Sequence, residues 1–218
     1  MKQMSNLMIL QKERYTSMKI LQLFPTPVYV SKIERDLSKQ ELKTIRNYKK
    51  KTHPNEGNRT SDDNYVLENK TLKNLKEDLT KKLCDYFDKV ISTSDPITPY
   101  ITQSWLNYTE TDQHHHKHYH SNSYVSGVFY VDADKTVDGI TFYKDDIPDL
   151  ELSVAEYNPS NTRAMGIIVE TGTLVLFPSS LPHGVDKKKG TNSRISLSFN
   201  SYFKGTIGHK LKLTELTL

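Results

Sequence analysis

Leu72, Leu75, Leu79, Leu83, Phe87 and Val90 recur at spacings of three and four residues, with mostly polar and charged residues between them. That spacing predicts an amphipathic helix of roughly twenty residues with a charged outer face. An earlier helix is announced at its start. Ser38 and Glu41 form a capping box, and Leu37 can staple to Leu42, so a helix is expected from there to about residue 50. Before it, LFPTPVYVSKI (23–33) reads as extended, because Pro25 and Pro27 exclude helix and β-branched residues follow. Between the helices, THPNEGNRTSDDN (52–64) reads as a loop.

From about residue 98 the pattern shortens into β-branched and aromatic runs separated by turn residues. Strands are expected at 98–108, 115–120, 124–132, 138–144, 165–170, 173–177 and 193–203, with 145–164 as a mobile insertion. RISLSFN (194–200) alternates cleanly: Arg194, Ser196, Ser198 and Asn200 share one face, Ile195, Leu197 and Phe199 the other. In an ordinary sandwich strand the polar face would meet solvent. Helices followed by many short strands predict a mainly β (α+β) fold, with N-terminal helices packed on a sandwich or barrel.

Composition narrows the class. The 218 residues suit one domain, and 35% hydrophobic content with 13 Tyr and 7 Phe can fill one core. A net charge of +4 with lysines spread along the predicted helices reads as a solvated face, so nucleic acid is not an expected partner. The one cysteine, Cys84, falls on the apolar helical stripe as a small core residue and excludes an internal disulfide framework. No apolar run of about 18 residues predicts a membrane span, and MKQMSNLMILQKERY is too polar for a signal peptide. These features fit the cytoplasm, where the N-x-[ST] triplets at Asn58, Asn69 and Asn107 carry no glycan message.

The chemistry concentrates in QHHHKHYH (113–120), which holds five of the eight histidines. If this segment is a strand, His116, His118 and His120 share a face, and across a tight turn Ser126, Val128 and Tyr130 do too. An H-x-H pair can aim two imidazoles at one metal, whereas neighbours in sequence point apart. A third ligand must come from elsewhere: His53 lies in a loop beside Pro54, and His183 ends LVLFPSSLPH. Eleven residues beyond His183 stands Arg194, whose guanidinium can grip a carboxylate with two parallel hydrogen bonds.

Five blocks carry a resemblance: LFPTPV (23–28), QSWLNY (103–108), HYHSNSYVSGVFYV (118–131), GTLVLFPSSLPH (172–183) and RISLSFN (194–200). In order and spacing they resemble the Fe(II)/2-oxoglutarate-dependent oxygenases, and more closely the prolyl-hydroxylase-like branch found in marine phages and bacteria. The resemblance implies a double-stranded β-helix, jelly-roll or cupin-like, within a single domain spanning 1–218. Residues 1–97 would be helical and extended support, 98–204 the β-helix core and 205–218 a C-terminal extension.

It also implies roles. His118 and His183 would ligate Fe(II), Arg194 would pair with the distal carboxylate of 2-oxoglutarate, and Ser196, Tyr130, Ser126 and Tyr108 would contact that cosubstrate. Trp105 and Asn107 would support the site. The implied reaction takes O₂, yields succinate and CO₂, and hydroxylates a substrate that is either a protein or a small molecule. In one respect the sequence departs from the family pattern. Where a carboxylate usually completes two histidines, this chain has His120, and Asp112, Asp132 and Asp134 lack the spacing to replace it. The ligand set is therefore read as His118, His120 and His183, with a His116/His118 register, or a site that has lost activity, as the alternatives. His114, His115 and His116 would be an exposed flank, and Asn122 could orient substrate. A non-catalytic cupin-like metal barrel and a phage interaction module are the rival readings, and the direction of Arg194 discriminates between them and the enzyme.

Overall fold

A computed structural model describes residues 20–144 and 152–218. The N-terminal segment and most of the first part of the 145–164 insertion lie outside the described residues. Two antiparallel sheets face each other. The larger contains β1 (Tyr29–Lys32), β2 (Thr52–Asn55), β3 (Asn58–Ser61), β4 (Ile97–Thr109), β6 (Val125–Asp132), β9 (Thr173–Pro178) and β11 (Arg194–Ile207), in the order β1-β9-β6-β11-β4-β3-β2. The smaller contains β5 (His115–His118), β7 (Gly139–Tyr143), β8 (Ala164–Ile168) and β10 (His183–Val185), in the order β5-β10-β7-β8. β12 (Leu216–Thr217) pairs with the end of β11. This is the jelly-roll arrangement of a double-stranded β-helix.

Two helices back the larger sheet. In α1 (Lys39–Tyr48) the capping box forms as its sequence dictates: Glu41 N donates to Ser38 Oγ at 3.2 Å and Ser38 N donates to Glu41 Oε2 at 2.7 Å. α2 (Lys73–Tyr86) buries Leu75, Leu79 and Leu83 on the sheet. The periodic run is not one helix throughout. Leu72 closes a 3₁₀ turn before α2, and Phe87–Ile91 is a wide π-turn after it, ended by Ser92 at φ 49°. Cys84 is half-buried at the edge of the apolar stripe rather than within the core.

Alternation in the larger sheet divides the interior into two cores. Leu106, Phe129, Leu174, Leu176, Ile195, Leu197 and Phe199 pack against the helices, whereas Val128, Tyr130, Val175 and Phe177 meet Ile140 and Phe142 of the smaller sheet. Gly127 is required in the first core, since a Cβ there would lie 2.2 Å from the Phe199 ring. The polar face of β11 does not reach solvent. Arg194, Ser196, Ser198 and Asn200 are all buried, because the smaller sheet covers them.

Three expectations need correcting. Segment 52–64 is a β-hairpin with Gly57 at φ 91° in its turn; its strands THPN and NRTS lack the apolar alternation that marks strands in sequence. Of 23–33, only Tyr29–Lys32 pairs, on β9. The strand expected over 115–120 ends at His118, so His120 lies beyond it.

Candidate metal centre

The smaller sheet brings the histidines together. His118 of β5 stands directly opposite His183 of β10, and such cross-strand partners hold their Cβ atoms roughly 5 Å apart. The chain then leaves β5, and His120 is returned to the cluster by its backbone N–H, which donates to Ser179 O at 2.9 Å. One nitrogen from each of His118, His120 and His183 lies within 4.8 Å of the others. Their ring centroids are 4.4 Å (118–183), 5.0 Å (118–120) and 5.1 Å (120–183) apart.

The rings are oriented by their surroundings. His118 Nδ1 lies 2.8 Å from His116 O and His183 Nδ1 lies 3.0 Å from Leu181 O, each the carbonyl two residues earlier. Carbonyls only accept, so both rings carry their proton on Nδ1 and turn the Nε2 lone pair into the cluster. Trp105 flanks His120 at 5.5 Å and Phe177 flanks His183 at 4.6 Å. Burial, followed by the neighbouring imidazoles, pushes His120 down to about 3; burial does the same to His183, down to about 4. Neutral imidazole is the form that binds a metal.

Arg194 reaches the same space from the opposite sheet. It opens β11 opposite Thr109 of β4, and its Nη2 donates to Thr109 Oγ1 at 3.2 Å. Its Nε is buried without a hydrogen-bond partner among the described residues. The cavity between the sheets is lined by His118, His120 and His183 on one side and by Arg194, Ser196 and Tyr130 on the other. Tyr130 and Ser196 are cross-strand partners there, set by a bulge at Ile195/Ser196. Burial raises the Tyr130 phenol far above its usual range, so it stays a neutral donor.

Behind Arg194 lies a buried ion network. Lys188 Nζ donates to Asp138 Oδ1 at 3.1 Å, and Arg194 Nη1 is 3.7 Å from the same oxygen; Lys188 and Asp138 side chains are fully buried. Lys188 also donates to Asn192 Oδ1 at 2.9 Å. Two cations share one carboxylate, so these three groups carry a net +1 that favours an anion in the cavity.

Not every predicted contact lines the site. Tyr108 faces the helices, buried in the first core with its hydroxyl donating to Ile45 O at 2.6 Å, because parity along β4 places it opposite Thr109. Ser126 lies outside the cavity lining; its Oγ donates to Asn200 Oδ1 at 3.1 Å and sits 2.8 Å from Ser179 Oγ. Asn122 is exposed in a left-handed turn at φ 55°. His53 is exposed beside Asp62. Trp105 and Asn107 do line the cavity, with Asn107 Nδ2 donating to Ser198 Oγ at 3.1 Å.

His115 is no exposed flank. It lines the cavity and stacks on His118 at 4.6 Å. Asp138, Lys188 and Ser198 escaped the sequence reading. Ser198 was legible from the β11 alternation, whereas Asp138 opens the expected 138–144 strand with nothing local to mark it as part of a site.

The fold and site together define a double-stranded β-helix with a histidine cluster and a buried arginine facing each other between its sheets. Residues 103–200 match the family model described as "Putative 2OG-Fe(II) oxygenase". No curated protein matches the chain in sequence. Among solved structures, the chain resembles SnoN, a non-heme alpha ketoglutarate dependent epimerase from nogalamycin biosynthesis (TM-score 0.59, 12% identity, covering 81% of this chain and 76% of that one). It also resembles HygX from Streptomyces hygroscopicus, solved with nickel, 2-oxoglutarate and hygromycin B (0.53, 13%, 81% and 82%). A third is a prolyl hydroxylase from Trichoplax adhaerens, in complex with a hypoxia inducible factor peptide fragment (0.50, 12%, 80% and 83%). At these identities the likeness is one of fold. No helix among the described residues is long and apolar enough to cross a membrane.

Proposed function

We propose that this protein is a non-haem Fe(II)- and 2-oxoglutarate-dependent dioxygenase that hydroxylates a protein or small-molecule substrate. The observation that carries the proposal is the placement of Arg194: a buried guanidinium whose Nε has no partner among the described residues, lining the same cavity as three histidines. A plain metal-binding barrel has no use for such a group.

The residues fit the metal. Three imidazoles with depressed proton affinity offer lone pairs within 4.8 Å of one another, and His118, His120 and His183 would hold Fe(II). When bound, the iron supplies the redox chemistry that couples 2-oxoglutarate decarboxylation by O₂ to substrate oxidation. Arg194 would bind the distal carboxylate, with Tyr130 and Ser196 adding neutral hydroxyls beside it. Asp138, shared with Lys188, leaves the guanidinium charge only partly satisfied from behind, so it is held and still able to take an anion. Trp105, Val128, Tyr130 and Ile140 line the space and exclude water from it. Three neutral ligands leave the site one charge more positive than two histidines and a carboxylate would, which favours binding of an anionic cosubstrate.

Anaerobic reconstitution with Fe(II) and 2-oxoglutarate tests the reading. A visible charge-transfer band is expected in wild type before O₂ is admitted and 2-oxoglutarate-dependent succinate release after it is admitted, with the band lost in His183→Ala and weakened in Arg194→Ala. Bound iron with neither band nor succinate overturns it.

A further inference from the structure

The histidines left over from the first cluster make a second one. His115, His116 and His118 also offer one nitrogen each within 4.8 Å of one another. Neighbours on a regular strand point to opposite faces, so this convergence has a structural cause. His183 pairs with His118 but Val185 pairs with His115, so two steps along β10 face three along β5. The bulge inserts one residue and re-aims the side chains around it.

Hydrogen bonding and burial set the protonation and surroundings of these rings. Asn55 Oδ1 accepts from Glu56 N at 2.9 Å, which makes its Nδ2 the atom facing His115 Nε2 at 3.3 Å. His115 Nε2 is therefore unprotonated, with its lone pair accepting from that amide, so an ion bound there displaces Asn55. His116 Nδ1 is buried with no hydrogen-bond partner among the described residues, and Glu56 Oε2 stands 3.8 Å from it. Donors bound to one first-row ion at about 2.1 Å lie roughly 3–3.5 Å apart, so the three histidine nitrogens, within 4.8 Å of one another, and Glu56 Oε2, 3.8 Å from His116 Nδ1, would draw closer around an ion. Glu56 is held there by the hairpin turn: Gly57 O accepts from His114 N at 3.1 Å, and a Cβ on Gly57 would come 2.7 Å from the His114 ring and carbonyl. Glu56 itself is largely exposed, giving an ion a route in.

We propose that His115, His116 and His118, closed by Glu56, form an outer seat for a borderline divalent cation such as Co(II), Ni(II) or Zn(II). It shares His118 with the inner cluster. Because His118 Nδ1 is committed to His116 O, only its Nε2 can ligate, and it serves one ion at a time. An ion in the outer seat therefore withdraws a ligand from the inner one. The sharing rests on the inner seat assigned above; the outer seat does not require the oxygenase reaction.

Titration of metal-free protein with Co(II) alone, followed by calorimetry and the visible d–d spectrum, tests this. His183→Ala and, separately, His120→Ala remove only the inner seat and are expected to retain one Co(II). Adding His116→Ala to either should weaken that binding at least tenfold, and adding Glu56→Gln several-fold, with circular dichroism confirming that each variant is folded. His116→Ala alone should bind its first Co(II) like wild type, since its carbonyl still accepts from His118. The proposal is overturned if folded His183→Ala and His120→Ala bind no Co(II), or if the added His116→Ala leaves their affinity unchanged. Failure of the oxygenase reading shows elsewhere, as absence of the 2-oxoglutarate-dependent band in His116→Ala and wild type alike.

Discussion

Asp138→Asn removes the one carboxylate between two buried cations. At an effective dielectric near 20, its attractions to Lys188 at 3.1 Å and Arg194 at 3.7 Å are each about 4–5 kcal/mol before desolvation. Removing one partner of a buried ion pair typically costs about 3–5 kcal/mol net, because the charge left behind is uncompensated. Here two are left, and the net charge of the three groups rises from +1 to +2. Against a total stability of about 5–15 kcal/mol, the melting temperature should fall by roughly 6–20 °C at 2–4 °C per kcal/mol. Lys188→Met should cost less, since Arg194 still faces Asp138 and the three groups become neutral. The double variant should be more stable than Asp138→Asn alone, because one orphaned cation is gone. Thermal melts and urea unfolding of the four proteins measure these shifts. An Asp138→Asn variant within 1 kcal/mol of wild type, or strictly additive costs, would refute the reasoning.

Burial pushes His115 down to about 2, His120 to about 3 and His183 to about 4. Below the unfolded value near 6.5 the unfolded chain takes up protons that the folded one refuses, so metal-free protein should lose stability as pH falls from 6.5 toward those values, by up to about 1.4 kcal/mol per pH unit and group. Urea midpoints at pH 7.5 and 5, above the range where carboxylates titrate, check this; equal midpoints would contradict it. Gly127→Ala should destabilise by about 1–3 kcal/mol through collision with Phe199, and Phe199→Leu should recover part of the loss in the same thermal melts. No loss in the single variant would show that the first core is looser than its geometry.

Much of the architecture is local and was legible. The Ser38/Glu41 box needs only three residues of spacing, and the Leu75-Leu79-Leu83 stripe only the helical period, so both follow from sequence. The β11 alternation also follows from parity. Its burial does not: Ser196 and Ser198 would face solvent in a single-layer sheet, and only the second sheet turns that face into a cavity wall. The hairpin at 52–61 escaped because its strands are polar and are stabilised by pairing with β4 rather than by a pattern of their own. Tyr108 was misplaced for a related reason. Both faces of β4 are buried, and the sequence around it does not say which one carries chemistry.

The histidine tract divides the same way. By itself the sequence determined that QHHHKHYH holds more imidazoles than one metal needs, and that His183 and Arg194 stand at strand positions able to join them. Register and bulges, which depend on which strand lies beside which, decided the rest. They set His118 against His183, brought His120 back through Ser179, turned His115 and His116 toward each other, and put Asp138 and Lys188 behind Arg194. Those contacts join residues as much as 65 positions apart, and no local rule of spacing encodes them.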